Sequence, residues 1–153
     1  MRNALVILLL ATACGGDRAP GPSIIRLRPA LPDTGDDLEV TVLSDALDPE
    51  GDPVDYRYLW YRDNDLQADY TEAILPAAAT AKGEVWRVEV LALDGSLEGP
   101  PVVAEVTVVN ALPTVEITMQ PADHLSNEDI VAVAAAVDLD GDTVALDWSW
   151  TVD

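Results

Sequence analysis

One pattern of 13 residues occurs twice in this chain of 153 residues, and it constrains the fold more than any other feature. The first copy runs from Asp48 to Trp60 and reads Asp-Pro-Glu-Gly-Asp-Pro-Val-Asp-Tyr-Arg-Tyr-Leu-Trp; the second, from Asp138 to Trp150, reads Asp-Leu-Asp-Gly-Asp-Thr-Val-Ala-Leu-Asp-Trp-Ser-Trp. Asp48 and Asp138, Gly51 and Gly141, Asp52 and Asp142, Val54 and Val144, and Trp60 and Trp150 are each 90 residues apart. A fixed offset of that size is the spacing of tandem domains. Each copy is an acidic Gly turn feeding a run of period two. Val54, Tyr56, Tyr58 and Trp60 share one face in the first copy, and Val144, Leu146, Trp148 and Trp150 share one in the second. β-branched and aromatic residues at that period predict half-buried strands whose rings pack inward. A solvent-facing row of the same rings would instead make a platform for stacking sugars.

The remaining chain continues in short strands. Ile25 and Leu27 alternate with Arg26 and Arg28, and Leu38, Val40 and Val42 with Glu39, Thr41 and Leu43. Trp86, Val88, Val90 and Ala92 alternate with Arg87, Glu89 and Leu91, and a further strand is expected over 102–109. Turn clusters at Pro32-Asp33, Asp63-Asn64-Asp65 and Asp94-Gly95 separate them. The Ala-rich stretch 66–81 fits one or two short strands or a loose crossing better than a helix. Seven short strands at this spacing predict an all-β fold, a β-sandwich over residues 23–110. After Asn110 the pattern restarts: Val115, Ile117 and Met119 match the first strand, and Ile130 to Val137 match the second. Residues 111–153 thus form an incomplete second copy, expected to be poorly ordered, packed on the first sandwich, or completed by another chain.

Residues 1–13 combine a basic start at Arg2 with an apolar run from Ala4 to Ala13, too short to span a bilayer and fit for a signal peptide. The single cysteine, Cys14, leaves no partner for an intrachain disulfide. Ala11-Thr12-Ala13-Cys14-Gly15 resembles the lipobox of bacterial lipoproteins. The resemblance implies cleavage before Cys14 and lipidation of that residue with diacylglycerol and an acyl chain such as palmitate. With no Asp after the Cys, it implies outer membrane or cell surface. The Gly/Pro-rich residues 14–22 would be a flexible tether.

The Asp-x-Asp-Gly-Asp turn before a Tyr/Trp strand, and Lys82-Gly-Glu-Val-Trp86 before another, resemble the tandem immunoglobulin-like repeats of large bacterial surface proteins. These are relatives of the polycystic-kidney-disease and cadherin-like domains. The Trp-Asp-Phe-Gly-Asp-Gly signature of the polycystic-kidney-disease domains is absent here. The resemblance implies immunoglobulin-like sandwiches used as spacers, adhesion modules or accessory domains of exported enzymes.

A formal net charge of −20 argues against nucleic acid as a partner, since no basic stripe exists. From Asn110 onward there are nine acidic residues and no Lys or Arg. Asp48, Glu50 and Asp52, with Asp138, Asp140 and Asp142, are candidate calcium ligands, because alternate carboxylates around Gly can converge on a hard cation. The loops are not EF-hands: Gly stands fourth rather than sixth, and Leu59 and Ser149 occupy the twelfth positions. Asp and Gly also make such turns without any ligand. His124 is the only histidine, and no nucleophile elbow, phosphate loop or His/Cys cluster is present. No catalytic residue is expected. The sequence reads as a non-enzymatic, lipid-anchored envelope protein for display, spacing or adhesion, with other surface proteins or polysaccharide as partners. The alternatives are a carbohydrate-binding module and the N-terminal accessory region of a larger exported enzyme.

Overall fold

A run of alternating residues becomes a strand when its apolar side can be covered and its backbone paired. In the computed structural model, which describes residues 16–120 and 129–151, the run at 55–62 obtains both. The strands are β1 (Ile24–Arg28), β2 (Leu38–Ser44), β3 (Asp55–Arg62), β4 (Asp65–Leu66), β5 (Ile74–Leu75), β6 (Val85–Leu93), β7 (Val102–Thr107), β8 (Thr114–Gln120) and β9 (Val131–Val137). One 3-10 turn, Ala77–Ala79, is the only helical element among the described residues, and none of their helices is long and apolar enough to cross a membrane.

β1 to β7 form two antiparallel sheets, ordered β1-β2-β5 and β4-β3-β6-β7. They face each other across one core. Leu27, Leu38, Val40 and Leu75 from the first sheet meet Trp60, Trp86, Val88 and Val90 from the second. The all-β sandwich expected for this region is what forms. Alternation is kept throughout, most clearly in β6, where Trp86, Val88, Val90 and Ala92 are buried and the residues between them only partly so.

Both buried indoles have partners for their N–H groups. Trp60 Nε1 donates to the Glu72 carbonyl at 2.9 Å, and Trp86 Nε1 to Glu84 Oε2 at 2.9 Å. Burying an indole without such a partner would cost much of what its area contributes. Tyr70 meets the Trp86 ring edge-on at 6.3 Å. Tyr70 belongs to the stretch 66–81, which crosses from one sheet to the other. It leaves β4, bonds Gln67 N–H to the Trp60 carbonyl at 2.8 Å, and reaches β5 beside β2. Asp63 and Asn64 take positive φ values of 49° and 75°, the two-residue hairpin geometry that joins β3 to β4.

The chain enters this sandwich at one pole and leaves at the other. Residues 17–23, the 45–54 loop and the 94–101 loop gather where β6 ends; residues 29–37, 76–84 and 107–111 gather where it begins. β6 spans nine residues, roughly 30 Å at strand rise.

The tether expected over 14–22 is not loose in its second half. Pro20 is fully buried, Gly21 N–H donates to the Leu47 carbonyl at 2.9 Å, and Ser96 Oγ bonds the Asp17 carboxylate. Gly99 makes room for this: a Cβ there would lie 2.5 Å from the Pro20 carbonyl oxygen. Proline limits the unfolded freedom that packing must overcome, so a short Pro-containing segment is readily fastened.

The second copy repeats the first pair of strands in register. Ile117 pairs with Ala134 and Met119 with Ala132, as Ile25 pairs with Val42 and Leu27 with Val40. The offset for these strands is 92 residues, against 90 at the acidic turns, so the second copy is two residues shorter between them. In the first copy that interval contains Asp45 and Ala46, which the Tyr56 hydroxyl holds: Ala46 N–H donates to Tyr56 Oη at 2.9 Å, and Oη donates to Asp45 Oδ1 at 3.2 Å. Burial pushes the Tyr56 hydroxyl pKa up. Position 146, equivalent to Tyr56, is Leu, which can hold no such loop.

The expected third strand of the second copy, Val144 to Trp150, is corrected: these residues pair with no strand among those described. β3 has β4 and β6 as ladder partners, and no described segment occupies either place here. Replacing Trp60 or Trp86 with Ala should destabilise the sandwich by about 3–5 kcal/mol in denaturant unfolding. Gly99→Ala should also increase amide exchange across 17–22, and unchanged exchange there would mean the segment is not fastened.

Candidate functional site at the acidic turns

Each acidic turn is built on one carboxylate oxygen that accepts two backbone N–H groups. Asp48 Oδ1 accepts from Glu50 and Asp52, both at 2.9 Å. Asp138 Oδ1 accepts from Asp140 at 2.9 Å and from Asp142 at 3.1 Å. In both, the Gly N–H bonds back to the carbonyl of the first Asp at 3.3 Å, and Gly51 and Gly141 take φ values of 87° and 74°. That left-handed conformation favours Gly over any other residue. Asp48, Asp138 and the two glycines are therefore explained by the turn itself.

Three of the other carboxylates, Glu50, Asp140 and Asp142, have partners outside their turn. At the first turn, Arg18 reaches Glu50 Oε1 at 3.0 Å. At the second turn, the chain between copies is tied down. Asp140 Oδ2 accepts the N–H of buried Ala111 at 2.7 Å, and Lys82 Nζ contacts Asp142 Oδ2 at 2.6 Å and Asn110 Oδ1 at 3.1 Å. Just before this, Val109 N–H donates to the Pro32 carbonyl at 2.8 Å. Leu139 lies over Gly35, where an added Cβ would sit 3.2 Å from Leu139 Cδ1. A cleft lined by Thr34, Ala78, Thr80, Leu139 and Asp140 separates the turn from the first sandwich.

Of the two candidate calcium sets, the structure brings one together. Asp138, Asp140 and Asp142 each offer a carboxylate oxygen within 4.8 Å of the others, which suits a shared cation. Asp48, Glu50 and Asp52 do not converge in this way among the described residues, since Glu50 is turned to Arg18. Asp48 Oδ2 is nevertheless buried without a hydrogen-bond partner. The cation that meets the second set is the Lys82 ammonium. Its hydrogen bond to Asp142 holds its pKa above the ordinary lysine value, with added attraction from Asp140 and Asp138 against a smaller desolvation effect.

The sequence reading names Lys82 only within the Lys82-Gly-Glu-Val-Trp86 motif and not as a partner of the acidic turn. A signal existed: it is the only lysine in the chain. Cys14, residues 1–13 and His124 lie outside the described residues. The rings that might stack on sugar divide into two groups. Trp60 and Trp86 are fully buried, whereas Trp148 and Trp150 are 49% and 59% exposed. No family model, curated protein or solved structure matches the chain.

The pKa displacement gives a sign for the junction. A group whose folded pKa is raised stabilises fully below its unfolded pKa, and that contribution disappears as pH rises through the folded value. Cleavage near residues 109–113 in limited proteolysis should therefore stay slow to alkaline pH and accelerate once Lys82 deprotonates. Lys82→Ala should accelerate the cleavage at neutral pH while leaving the melting of the first sandwich unchanged. Equal cleavage rates for the wild type and this variant would remove Lys82 from the junction.

Proposed function

We propose that this chain is a non-enzymatic cell-envelope lipoprotein whose tandem immunoglobulin-like repeats act as a surface spacer that displays what they carry. The observation that supports this reading best is the path of the chain. It enters the first sandwich at the pole holding Pro20 and leaves at the opposite pole, where Lys82 binds Asp142 of the following segment. A module entered and left at opposite ends adds its length to a tethered chain, whereas one entered and left at the same end does not. On this reading Cys14 attaches to the outer membrane, and little beyond Gly15 and Gly16 separates the lipid from the fastened segment at 17–22. Durable attachment needs more than one acyl chain, which the lipobox resemblance supplies.

The displaced pKa values agree with a structural role. Asp94 is held below the ordinary carboxylate range by the Leu97 and Ser96 N–H groups of its own turn. Burial raises the hydroxyl of Tyr58 and, with the Glu89 carboxylate beside it, that of Tyr61. The carbohydrate-binding reading has less support, because Trp60 and Trp86 face the core.

Intact-mass analysis of the natively expressed protein should show loss of residues 1–13 and added acyl mass on Cys14, and Cys14→Ser should move the protein to the soluble fraction. A soluble, unacylated wild type beginning elsewhere would overturn the anchor.

A calcium ion at the second turn is a further reading, favoured by the convergence of Asp138, Asp140 and Asp142. Millimolar Ca²⁺ should then raise the melting temperature by mass action, and Asp140→Asn should reduce the effect. If Mg²⁺ and Na⁺ at matched ionic strength act alike, the stabilisation is charge screening alone.

A further inference from the structure

With acidic residues outnumbering basic ones 28 to eight, a cation without a carboxylate partner stands out, and two such cations lie side by side. Arg18, Arg57, Arg62, Lys82 and Arg87 each form an ion pair. Arg26 and Arg28 are exposed and form none with any described residue. They stand at alternate positions of β1 with buried Leu27 between them. Both therefore face outward from the first sandwich, about 7 Å apart at strand rise. In the ladder Arg26 is opposite Thr41 and Arg28 opposite Glu39, yet Glu39 does not pair with Arg28. The neighbouring carboxylates are turned to backbone instead. Asp36 Oδ2 accepts the Asp33 N–H at 3.0 Å, and Asp37 Oδ1 accepts the Ala77 N–H at 2.7 Å. Arg26, Arg28, Pro29, Ala30, Asp37 and Glu39 line an open cleft of about 720 Å³ on the first sandwich.

We propose that this cleft binds an acidic sugar, with its carboxylate on Arg26 and Arg28 and its hydroxyls on Glu39. A guanidinium presents a planar fork of N–H donors that matches a carboxylate and stays charged at any physiological pH. Two forks on one strand face can hold a single carboxylate between them. Cross-strand neighbours are about 5 Å apart, close to the width of a pyranose ring. A ring whose carboxylate meets Arg28 thus brings its hydroxyl donors to Glu39, which when ionised has only acceptors to offer.

The mixed lining disfavours simpler occupants. A bare oxyanion satisfies the arginines but sets a like charge beside Glu39 and gives that carboxylate no donor. An acidic peptide side chain has the same defect. A long polyanion is repelled by the net charge of −20. A single acidic sugar, or a glycan in which acidic and neutral residues alternate, brings one charge to the cleft with hydroxyl donors next to it. This recognition uses no aromatic platform, so the burial of Trp60 and Trp86 does not bear on it. The cleft is the same whether or not Cys14 is lipidated.

The test titrates the full chain carrying Cys14→Ser with methyl glucuronide while backbone amide resonances are followed. Resonances of 26–30 and 36–41 should move and saturate at millimolar sugar. Methyl glucoside, the same ring without the carboxylate, should leave them in place. Arg26→Gln and Arg28→Gln should each weaken glucuronide binding about fivefold or more, as loss of an exposed charge-assisted hydrogen bond requires. Neither side chain has an ion pair to lose, so both variants should melt as the wild type does. Arg57→Gln, at an arginine already held by Glu98, should bind as the wild type does. Inorganic phosphate and N-acetylglutamate amide should bind more weakly than the glucuronide. Equal binding of methyl glucoside would take the arginines out of the recognition and overturn the proposal. Equal binding of phosphate or the glutamate derivative would reduce the cleft to an unselective anion contact and overturn the sugar. An equal loss in Arg57→Gln would make the effect one of overall charge, and glucuronide that moves no resonance in 26–41 would leave no site there; either result overturns the proposal.

Discussion

A single carboxylate oxygen that accepts two N–H groups across a left-handed glycine shapes each acidic turn, and the joints of this chain depend on that turn. With Asp48 Oδ1 or Asp138 Oδ1 occupied by the turn, the third and fifth positions are free to point outward. Glu50 then meets Arg18, and Asp140 and Asp142 meet Ala111 and Lys82. The residues at these positions, rather than the turn, decide whether the carboxylates converge. Glutamate at 50 has the reach to leave the turn for an arginine, while aspartate at 140 stays close to its neighbours and takes a backbone N–H.

The same economy applies to charge. A chain with 28 acidic and eight basic residues must spread its carboxylates or neutralise them locally. Several of its few cations are committed to contacts on the first sandwich: Arg57 with Glu98, Arg62 with Glu84, and Arg87 with Glu89 while stacked 4.1 Å above the Tyr61 ring. Exposed pairs of this kind contribute little each to stability. Lys82 differs in where it acts, since it joins two units rather than two neighbours in one sheet.

Much of the first sandwich was legible from period two alone. Of the inward sets, Leu27, Leu38, Val40, Trp86, Val88, Val90 and Ala92 are buried in the structure, and Ile25 and Val42 are partly buried. The crossing at 66–81 was legible only as a break in pattern, because β4 and β5 are two residues each and obtain their stability from Tyr70 and Leu75 in the core. The fastening of 17–22 was hidden for a different reason. Gly and Pro signal a linker by composition, yet it is Gly99, more than 70 residues away, that admits Pro20. At the acidic turns the sequence identified the right residues and left their partners unread. Ala111 contributes only a backbone N–H, and Lys82 stands 60 residues from Asp142.

The two aromatic runs isolate what alternation can and cannot specify. Residues 54–60 and 144–150 have the same period, the same starting turn and the same final Trp, yet only the first is a strand. The inward side chains are not the difference, since Leu146, Trp148 and Trp150 already lie on the β8–β9 face. What the second run lacks among the described residues is a neighbour for its backbone. One apolar layer over a two-stranded sheet leaves its rings half exposed. An isolated two-stranded sheet is marginal in water, so β8 and β9 need the covering run, and the covering run needs a partner of its own. Burial in the first sandwich is therefore a property of the β3–β6 pair and not of the Trp60 side chain, and the same tryptophan nine residues after the turn glycine reports whether its ladder is complete.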